Sequence, residues 1–171
     1  MGRDIVMGAI SLVYSKLKEK FGLEILGLDN NSDIPTLTVE SESILKIITF
    51  LKDDSELQFG FLTDICGIHY PDKELPLGVI YHLHNLQTNV RLRIKTFVSI
   101  ETPDVPSLTS VFSSSNWMER ETWDFYGINF IGHPNLIRIL NVEYLDFFPM
   151  RKEYPVEDPT REDKDDRFFG R

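Results

Sequence analysis

Residues capable of acid–base chemistry are densest in one aromatic-rich stretch that contains Glu119, Arg120, Glu121 and Asp124. A helix over residues 117–126 would place Arg120 and Asp124 one turn apart, where the two side chains can pair. Glu119 and Glu121 would diverge by about 200°, because each residue turns an α-helix by ~100°. These two carboxylates therefore cannot share a proton or a metal ion. The pattern favours a structural or interface network over a catalytic pair.

Histidines provide a second candidate site. His82 and His84 are two apart on a predicted strand and share a face. A zinc or iron site usually takes three or more protein ligands, and the nearest other histidine, His69, lies on the preceding predicted strand. We therefore interpret these residues as cross-strand or exposed histidines. A small metalloenzyme that uses His82, His84 and Glu121 remains an alternative.

The single cysteine, Cys66, lies on a strand-like run and is interpreted as a small buried hydrophobe. It has no candidate base near it in the sequence, and one thiol cannot hold an all-cysteine cluster. Gly127 and Gly132 enclose Ile-Asn-Phe-Ile, which matches neither a P-loop nor a dinucleotide-binding turn. The sequence therefore predicts no catalytic residue, no bound cofactor and no metal ion in this chain.

Composition narrows the class of protein further. A formal net charge of −9 over 171 residues disfavours binding to nucleic acid and adhesion to an anionic membrane. No apolar run approaches the ~20 residues that a membrane span needs. The opening residues contain an acid at Asp4 and no long apolar stretch, so we expect no targeting segment.

Helices are predicted where apolar residues recur at three- to five-residue spacing. The first helix carries Ile5, Ile10, Val13, Leu17 and Phe21 and ends at Gly22. The second passes through residues 44–51, with Ser41 or Ser43 as its N-cap. The third covers residues 117–126, with Ser113 or Ser115 as its N-cap and Gly127 as its stop. A short turn begins at Ser107.

Strands are predicted for residues 23–28, 35–40, 59–70, 77–86 and 90–95. The last of these alternates apolar and basic residues, as in a sheet with one solvated face, and its short connection to 77–86 indicates an antiparallel hairpin. Helices and strands alternate without regular βαβ units. The sequence therefore predicts an α+β fold, a two-layer domain whose mixed, largely antiparallel sheet packs against helices.

The C-terminal part has a different composition. We predict an α+β domain over residues 1–130 and an extended arm over residues 131–171, because prolines are frequent and periodicity is weak after His133. Residues 157–166 are strongly charged, which is typical of a segment that a partner orders. We expect the region after Phe130 to be sensitive to protease in the isolated chain and protected in a complex.

The run from Glu119 to Leu140 resembles the signature of the 30-kDa subunit of respiratory complex I, the enzyme that in bacteria is called NADH-quinone oxidoreductase. The residues that carry the resemblance are, in their order along the chain, Glu-Arg-Glu, Asp, Gly-Ile, Gly-His-Pro and Arg-Ile-Leu. The resemblance to this family extends to residues 62–64 and 69–71, to residues 81–83 and 89–93, to residues 106–108 and 116–117, and to residues 151–155. Glu153 stands where the family usually has Asp, and Phe147-Phe148 precede Pro149 where it commonly has Gly-His.

The resemblance implies a non-catalytic docking subunit in the quinone module of the hydrophilic arm. Its partners would be the large 49-kDa-type subunit and the small subunit that holds the terminal cluster. FMN, iron–sulfur clusters and quinone would be bound by partner subunits. The chain would lie peripherally on the cytoplasmic side of the bacterial inner membrane, or on the matrix side in a eukaryote.

The resemblance also implies a set of signature and interface residues. Gly132-His133-Pro134 would set a sharp exit from the helix, while Arg138, Arg151 and Lys152 would supply charged contacts along the arm. The homologous subunit of a membrane-bound hydrogenase or a related oxidoreductase remains an alternative. The full set is Glu119, Arg120, Glu121, Asp124, Gly127, Ile128, Gly132, His133, Pro134, Arg138, Arg151, Lys152, Tyr154 and Pro155.

Overall fold

The computed structural model describes residues 2–30 and 33–155. Its elements are α1 (Gly2–Phe21), β1 (Ile25–Asp29), β2 (Thr36–Val39), α2 (Ile44–Asp53), β3 (Phe61–His69), β4 (Leu77–Asn85), β5 (Val90–Val98), β6 (Asp104–Pro106), α3 (Ser115–Tyr126) and β7 (Asn129–Ile131). All three predicted helices and all five predicted strands are present, each with ends shifted by a few residues. The short strands β6 and β7 were not predicted.

The main sheet has five strands in the order β1-β2-β5-β4-β3. Only β2 and β5 pair in parallel, while β1–β2, β4–β5 and β3–β4 are antiparallel. A separate two-stranded sheet joins β6 to β7 in parallel. The predicted α+β class with a mixed, largely antiparallel sheet is therefore confirmed.

One face of the sheet forms the core with the helices. In β5 the buried residues Val90, Leu92 and Ile94 alternate with half-exposed or exposed basic residues, as the period of the strand requires. In α2 the buried residues Ile44, Ile47, Ile48 and Leu51 follow helical spacing. α1 contributes Ile10, Val13 and Leu17 to the same core. The side chain of Ile5 lies outside the part of α1 whose side chains are described.

Ser43 is the N-cap residue of α2, one of the two serines predicted there, but neither α2 nor α3 has a capping hydrogen bond from a serine side chain. Ser43 precedes α2 without a capping hydrogen bond from its side chain, because a short 3-10 turn over Ser41–Ser43 leads directly into the helix. Ser114 is the N-cap of α3, also without such a bond. Ser115 instead donates its hydroxyl to the carbonyl of Phe112 at 2.8 Å.

The helix α3 lies against the edge strand β3 at very close range. A side chain at Gly67 would overlap the ring of Tyr126, so only glycine at this position lets the helix approach the strand. Within the described parts of the chain, no helix combines the length and apolarity needed to cross a membrane. The predicted charged stretch 157–166 lies outside the described residues.

Candidate functional site

The carboxylates of Glu119 and Glu121 lie on different faces of α3, as predicted. Glu119 is fully buried, whereas Glu121 is exposed. Glu119 accepts hydrogen bonds from the hydroxyl of Ser107 and the backbone N–H of Leu108, each at 2.6 Å. Burial raises the pKa of Glu119, and the hydrogen bonds from Ser107 and Leu108 oppose that rise without cancelling it. Glu119 therefore ties the start of α3 to the loop after β6.

Asp124 is the centre of a second network. Its carboxylate is fully buried and accepts hydrogen bonds from the backbone N–H groups of three successive residues, Ile139, Leu140 and Asn141, at 2.9–3.1 Å. It also accepts a hydrogen bond from the guanidinium of Arg138 at 2.6 Å. Burial alone would raise the pKa of Asp124, but the three N–H groups and Arg138 together hold that pKa far below its usual value.

The pairing predicted between Arg120 and Asp124 is wrong. Arg120 donates to the backbone carbonyls of Ile137 and Arg138, at 3.1 and 3.0 Å. The helical spacing of Arg120 and Asp124 permits a pair, but the chain that folds back over α3 offers Asp124 a buried guanidinium and three amides instead. Charge-assisted hydrogen bonds to a buried carboxylate are stronger than an exposed helical pair.

Arg138 is bound within its own chain. Its guanidinium donates to the carbonyl of Asp124 at 3.0 Å and to the carbonyls of Leu145 and Phe147 at 2.5 and 3.2 Å. It lies beside the rings of Trp123 and Phe148, 5.6 and 5.5 Å from their centroids. Only 8% of its side chain is exposed. The charged contact predicted for Arg138 along the arm is therefore made inside this chain.

Gly127 ends α3 as predicted, in the left-handed conformation with φ +72°. A side chain on Gly127 would overlap the ring of Phe148 and the guanidinium of Arg151. Arg151 donates to the carbonyl of Tyr126 at 2.7 Å and lies 4.9 Å from the Phe148 ring. Phe148 thus fills the space beside the helix end. Ile128 follows in the core, fully buried.

The turn at Gly132-His133-Pro134 lies after β7 and not at the helix exit, which corrects the prediction. Gly132 has φ +87°, and His133 closes the turn through a backbone bond to Phe130 at 3.1 Å. His133 Nδ1 accepts the backbone N–H of Asn135, so its Nε2 carries the proton and donates to the carbonyl of Asn116 at 3.0 Å. Pro134 is exposed.

The closing motif is attached to the end of β3 through a residue that sequence reasoning missed. His69 is buried, and its Nδ1 accepts the backbone N–H of Lys152 at 3.0 Å. Tyr154 packs on Phe147 with ring centroids 4.8 Å apart, and Pro155 is exposed at the last described position. The sequence offered no sign of this contact, because Lys152 lies 83 positions further along the chain.

The described segment after β7 has no further helix or strand, yet it folds back over α3. The predicted boundary after residue 130 falls inside β7. Many apolar side chains of the segment point to solvent: Ile131, Ile137, Ile139, Leu140, Val142, Tyr144, Met150 and Tyr154.

The metal donors considered in the sequence do not assemble as a set. His84 hydrogen-bonds Asn89 at 2.9 Å. The three metal-donor side chains that the described residues do bring together are Asp64, Cys66 and His82. The sequence suggested no base near Cys66, which is wrong because strand pairing places His82 beside it.

Comparisons with known proteins agree with the resemblance in the sequence. An NADH-quinone oxidoreductase subunit from Paramagnetospirillum magneticum is 43% identical over 134 residues, 78% of this chain and 67% of that protein. The solved structure of the trypsin-resistant fragment (1-134) of Nqo5 has a TM-score of 0.63 and 28% identity, covering 75% of this chain and 99% of that one.

A chain from the membrane-bound sulfane sulfur reductase, an archaeal respiratory membrane complex, shares the fold with a TM-score of 0.71 at 20% identity, over 85% of both chains. Residues 37–160, which include the Asp124 network, match the family described as respiratory-chain NADH dehydrogenase, 30 Kd subunit. The chain belongs to that family.

Proposed function

We propose that this chain is a non-catalytic docking subunit of the quinone module in the peripheral arm of a proton-translocating NADH:quinone oxidoreductase, which transfers electrons from NADH to quinone. Its family and the name of its bacterial relative support this proposal. FMN, iron–sulfur clusters and quinone would be bound by partner subunits, and this chain would hold none of them.

The exposed apolar side chains of residues 131–155 are the observation that carries this proposal. Eight large apolar side chains are exposed within these 25 residues. Exposed apolar surface that is concentrated in one segment is typical of a protein–protein contact. Asp124, Arg120 and Arg138 hold the backbone beneath these side chains through partly buried hydrogen bonds. A segment ordered before binding loses less conformational entropy when it docks.

The partners that we propose are the large 49-kDa-type subunit and the small subunit with the terminal cluster. The chain would lie on the cytoplasmic side of a bacterial inner membrane. Signature residues then divide into two roles. Asp124, Arg138 and Gly127 shape the segment from inside, whereas Lys152 and Tyr154, which are exposed, would contact partners directly.

Replacing one exposed apolar side chain by a charge tests the docking role. Leu140 and Leu86 are 63% and 66% exposed, one on the segment and one in the loop between β4 and β5. We expect Leu140→Glu to lower the amount of oxidoreductase assembled in native membranes several-fold, because a charge would be buried in the interface. Leu86→Glu, the matched control, should leave assembly unchanged.

Two measurements separate docking from folding in this test. Assembly is measured by co-purification of partner subunits from membranes, and stability by thermal unfolding of the purified chain. The side chain of Leu140 takes no part in the Asp124 network, so both variants should unfold near the wild-type temperature. Normal assembly with Leu140→Glu, or equal losses with both variants, would contradict the proposal.

The subunit of a membrane-bound hydrogenase or a related oxidoreductase is the second candidate. The fold shared with a chain of the sulfane sulfur reductase complex is consistent with it. The proteins that co-purify with this chain decide between the two. An NADH-binding flavoprotein would support the first proposal, and a large subunit with a nickel site would support the second.

A further inference from the structure

Three different metal-donor groups converge on the face of the main sheet opposite the helical core. Asp64 and Cys66 are two apart on β3, and His82 on β4 is paired directly with Asp64. Residues two apart share a face of a strand, as do directly paired neighbours. The donor atoms of the three side chains consequently lie within 4.8 Å of one another. His82 Nδ1 is 4.0 Å from Asp64 Oδ2.

The donor types select a class of cation. A thiolate, an imidazole and a carboxylate are together typical ligands of Zn²⁺ and of Co²⁺, which commonly substitutes for it, whereas Mg²⁺ and Ca²⁺ prefer oxygen alone. Asp64 and Cys66 also line a cavity of about 340 Å³ beside α3, to which Glu121 contributes. The cavity gives a cation access, and water can complete four ligands.

Arg93 competes for the same imidazole. Its Nε donates to His82 Nε2 at 2.9 Å, so in this state the neutral ring carries its proton on Nδ1. Burial and the charge of Arg93 lower the pKa of His82, which keeps the ring neutral as a ligand requires. Burial and the charge of Asp64 raise the pKa of the Cys66 thiol. The thiol must therefore release its proton when the metal binds.

We propose that Asp64, Cys66 and His82 form a binding site for a zinc-class divalent cation, and that Arg93 occupies the imidazole while the cation is absent. On binding, the Cys66 thiol loses its proton to solvent and forms a sulfur–metal bond. The imidazole proton moves from Nδ1 to Nε2, which breaks the Arg93 bond and frees Nδ1 as a ligand. The site is separate from the Asp124 network and does not depend on the docking role.

Titration of the purified full-length chain with Zn²⁺ and Co²⁺ tests this site. We expect one saturable Zn²⁺ site per chain by calorimetry, with affinity that increases as pH rises because a thiol proton is released. Bound Co²⁺ should show thiolate-to-metal charge-transfer absorption. Cys66→Ser should abolish that absorption, and His82→Gln should abolish saturable binding. His84→Gln is the control and should change neither, because His84 pairs with Asn89 outside the group.

An Arg93→Gln variant should bind Zn²⁺ more tightly, and partial unfolding of the chain would not produce that result. It should tighten Zn²⁺ binding by about tenfold, since the cation no longer has to displace a hydrogen bond from a charged donor to His82. Circular dichroism of each variant confirms that it is folded. The proposal of this metal site would be overturned if no saturable site were found. It would also be overturned if binding survived both Cys66→Ser and His82→Gln. Unchanged or weaker affinity in Arg93→Gln would overturn the competition by Arg93.

Discussion

The two buried carboxylates of α3 respond to pH with opposite sign. The pKa of Asp124 is lower in the folded chain than in the unfolded chain, so its ionised form stabilises the fold near neutral pH and this stabilisation is lost as pH falls. The pKa of Glu119 is raised by burial, so its contribution is full in acid and declines as pH rises through the folded-state pKa. The difference arises because three backbone N–H groups and the Arg138 guanidinium outweigh the effect of burial at Asp124, whereas burial outweighs the hydrogen bonds from Ser107 and Leu108 at Glu119.

Asp124→Asn should lower the free energy of unfolding by about 3–5 kcal/mol, since it leaves the nearly buried Arg138 without a countercharge. Urea unfolding of the purified chain at neutral pH measures the change. Glu121→Gln is the control on the same helix, because its side chain is exposed, and it should stay within about 0.5 kcal/mol of wild type. Equal effects of the two substitutions would contradict a central role for Asp124.

Acid unfolding should differ between wild type and Asp124→Asn in a defined direction. Wild-type stability should fall as pH decreases below about the ordinary aspartate pKa of 3.8, because the unfolded chain then takes up the proton first. The variant has no such group at position 124, so its stability should decline less over the same range. The quantity to compare is the slope of unfolding free energy against pH.

At the scale of elements, the end of α3 and the segment after β7 are built around one aromatic ring. Phe148 packs against Trp123 with centroids 6.4 Å apart and has the cations of Arg138 and Arg151 near its ring. Gly127 leaves the space that the ring occupies. Phe148 is thus held by packing, with stabilisation from two cation–π contacts.

A pair of glycine substitutions separates backbone strain from this packing. Gly127 and Gly132 both have positive φ, but a side chain at Gly132 would meet open space. Gly132→Ala should cost about 1–2 kcal/mol, from the left-handed conformation alone. Gly127→Ala should cost about 1–3 kcal/mol more, because Phe148 and Arg151 must move. Thermal or urea unfolding gives both values, and similar losses at the two sites would rule out close packing of Phe148.

At the scale of the whole molecule, the segment over residues 131–155 is attached to the sheet domain at a few separated points. Asp124 holds its first half, Arg151 binds the carbonyl that ends α3, and His69 binds Lys152 at the end of β3. Between these points its backbone has few regular hydrogen bonds. Such a segment opens locally more easily than the central strands do.

Limited proteolysis should show this difference. In the isolated chain we expect trypsin to cut after Lys152, which is exposed, well before it cuts after Arg93, which lies in the central strand β5. In the assembled oxidoreductase, cleavage after Lys152 should be slower, because partners would cover the segment. Mass spectrometry of the fragments gives both rates. Identical protection of Lys152 in the two states would argue against docking through this segment.

Elements with clear periodicity were predictable from the sequence. The alternation from Val90 to Lys95 and the spacing of Ile44, Ile47 and Leu51 identified β5 and α2, because burial of one face imposes those periods. The divergence of Glu119 from Glu121 likewise followed from helix geometry. The N-cap position of Ser43 was correct, but the serine capping hydrogen bonds failed because they depend on how the preceding loop enters the helix, and periodicity does not describe loops.

The sequence by itself determined the α+β class, the faces of the strands and the resemblance to the 30-kDa subunit, since these depend on local period and on residue order. Only the tertiary structure decided the partners of the charged residues. Arg138 reaches Asp124 from 14 positions away, and His82 reaches Cys66 from the neighbouring strand. Partner choice among buried charges depends on which distant backbone folds over them, and local spacing contains no information about that choice.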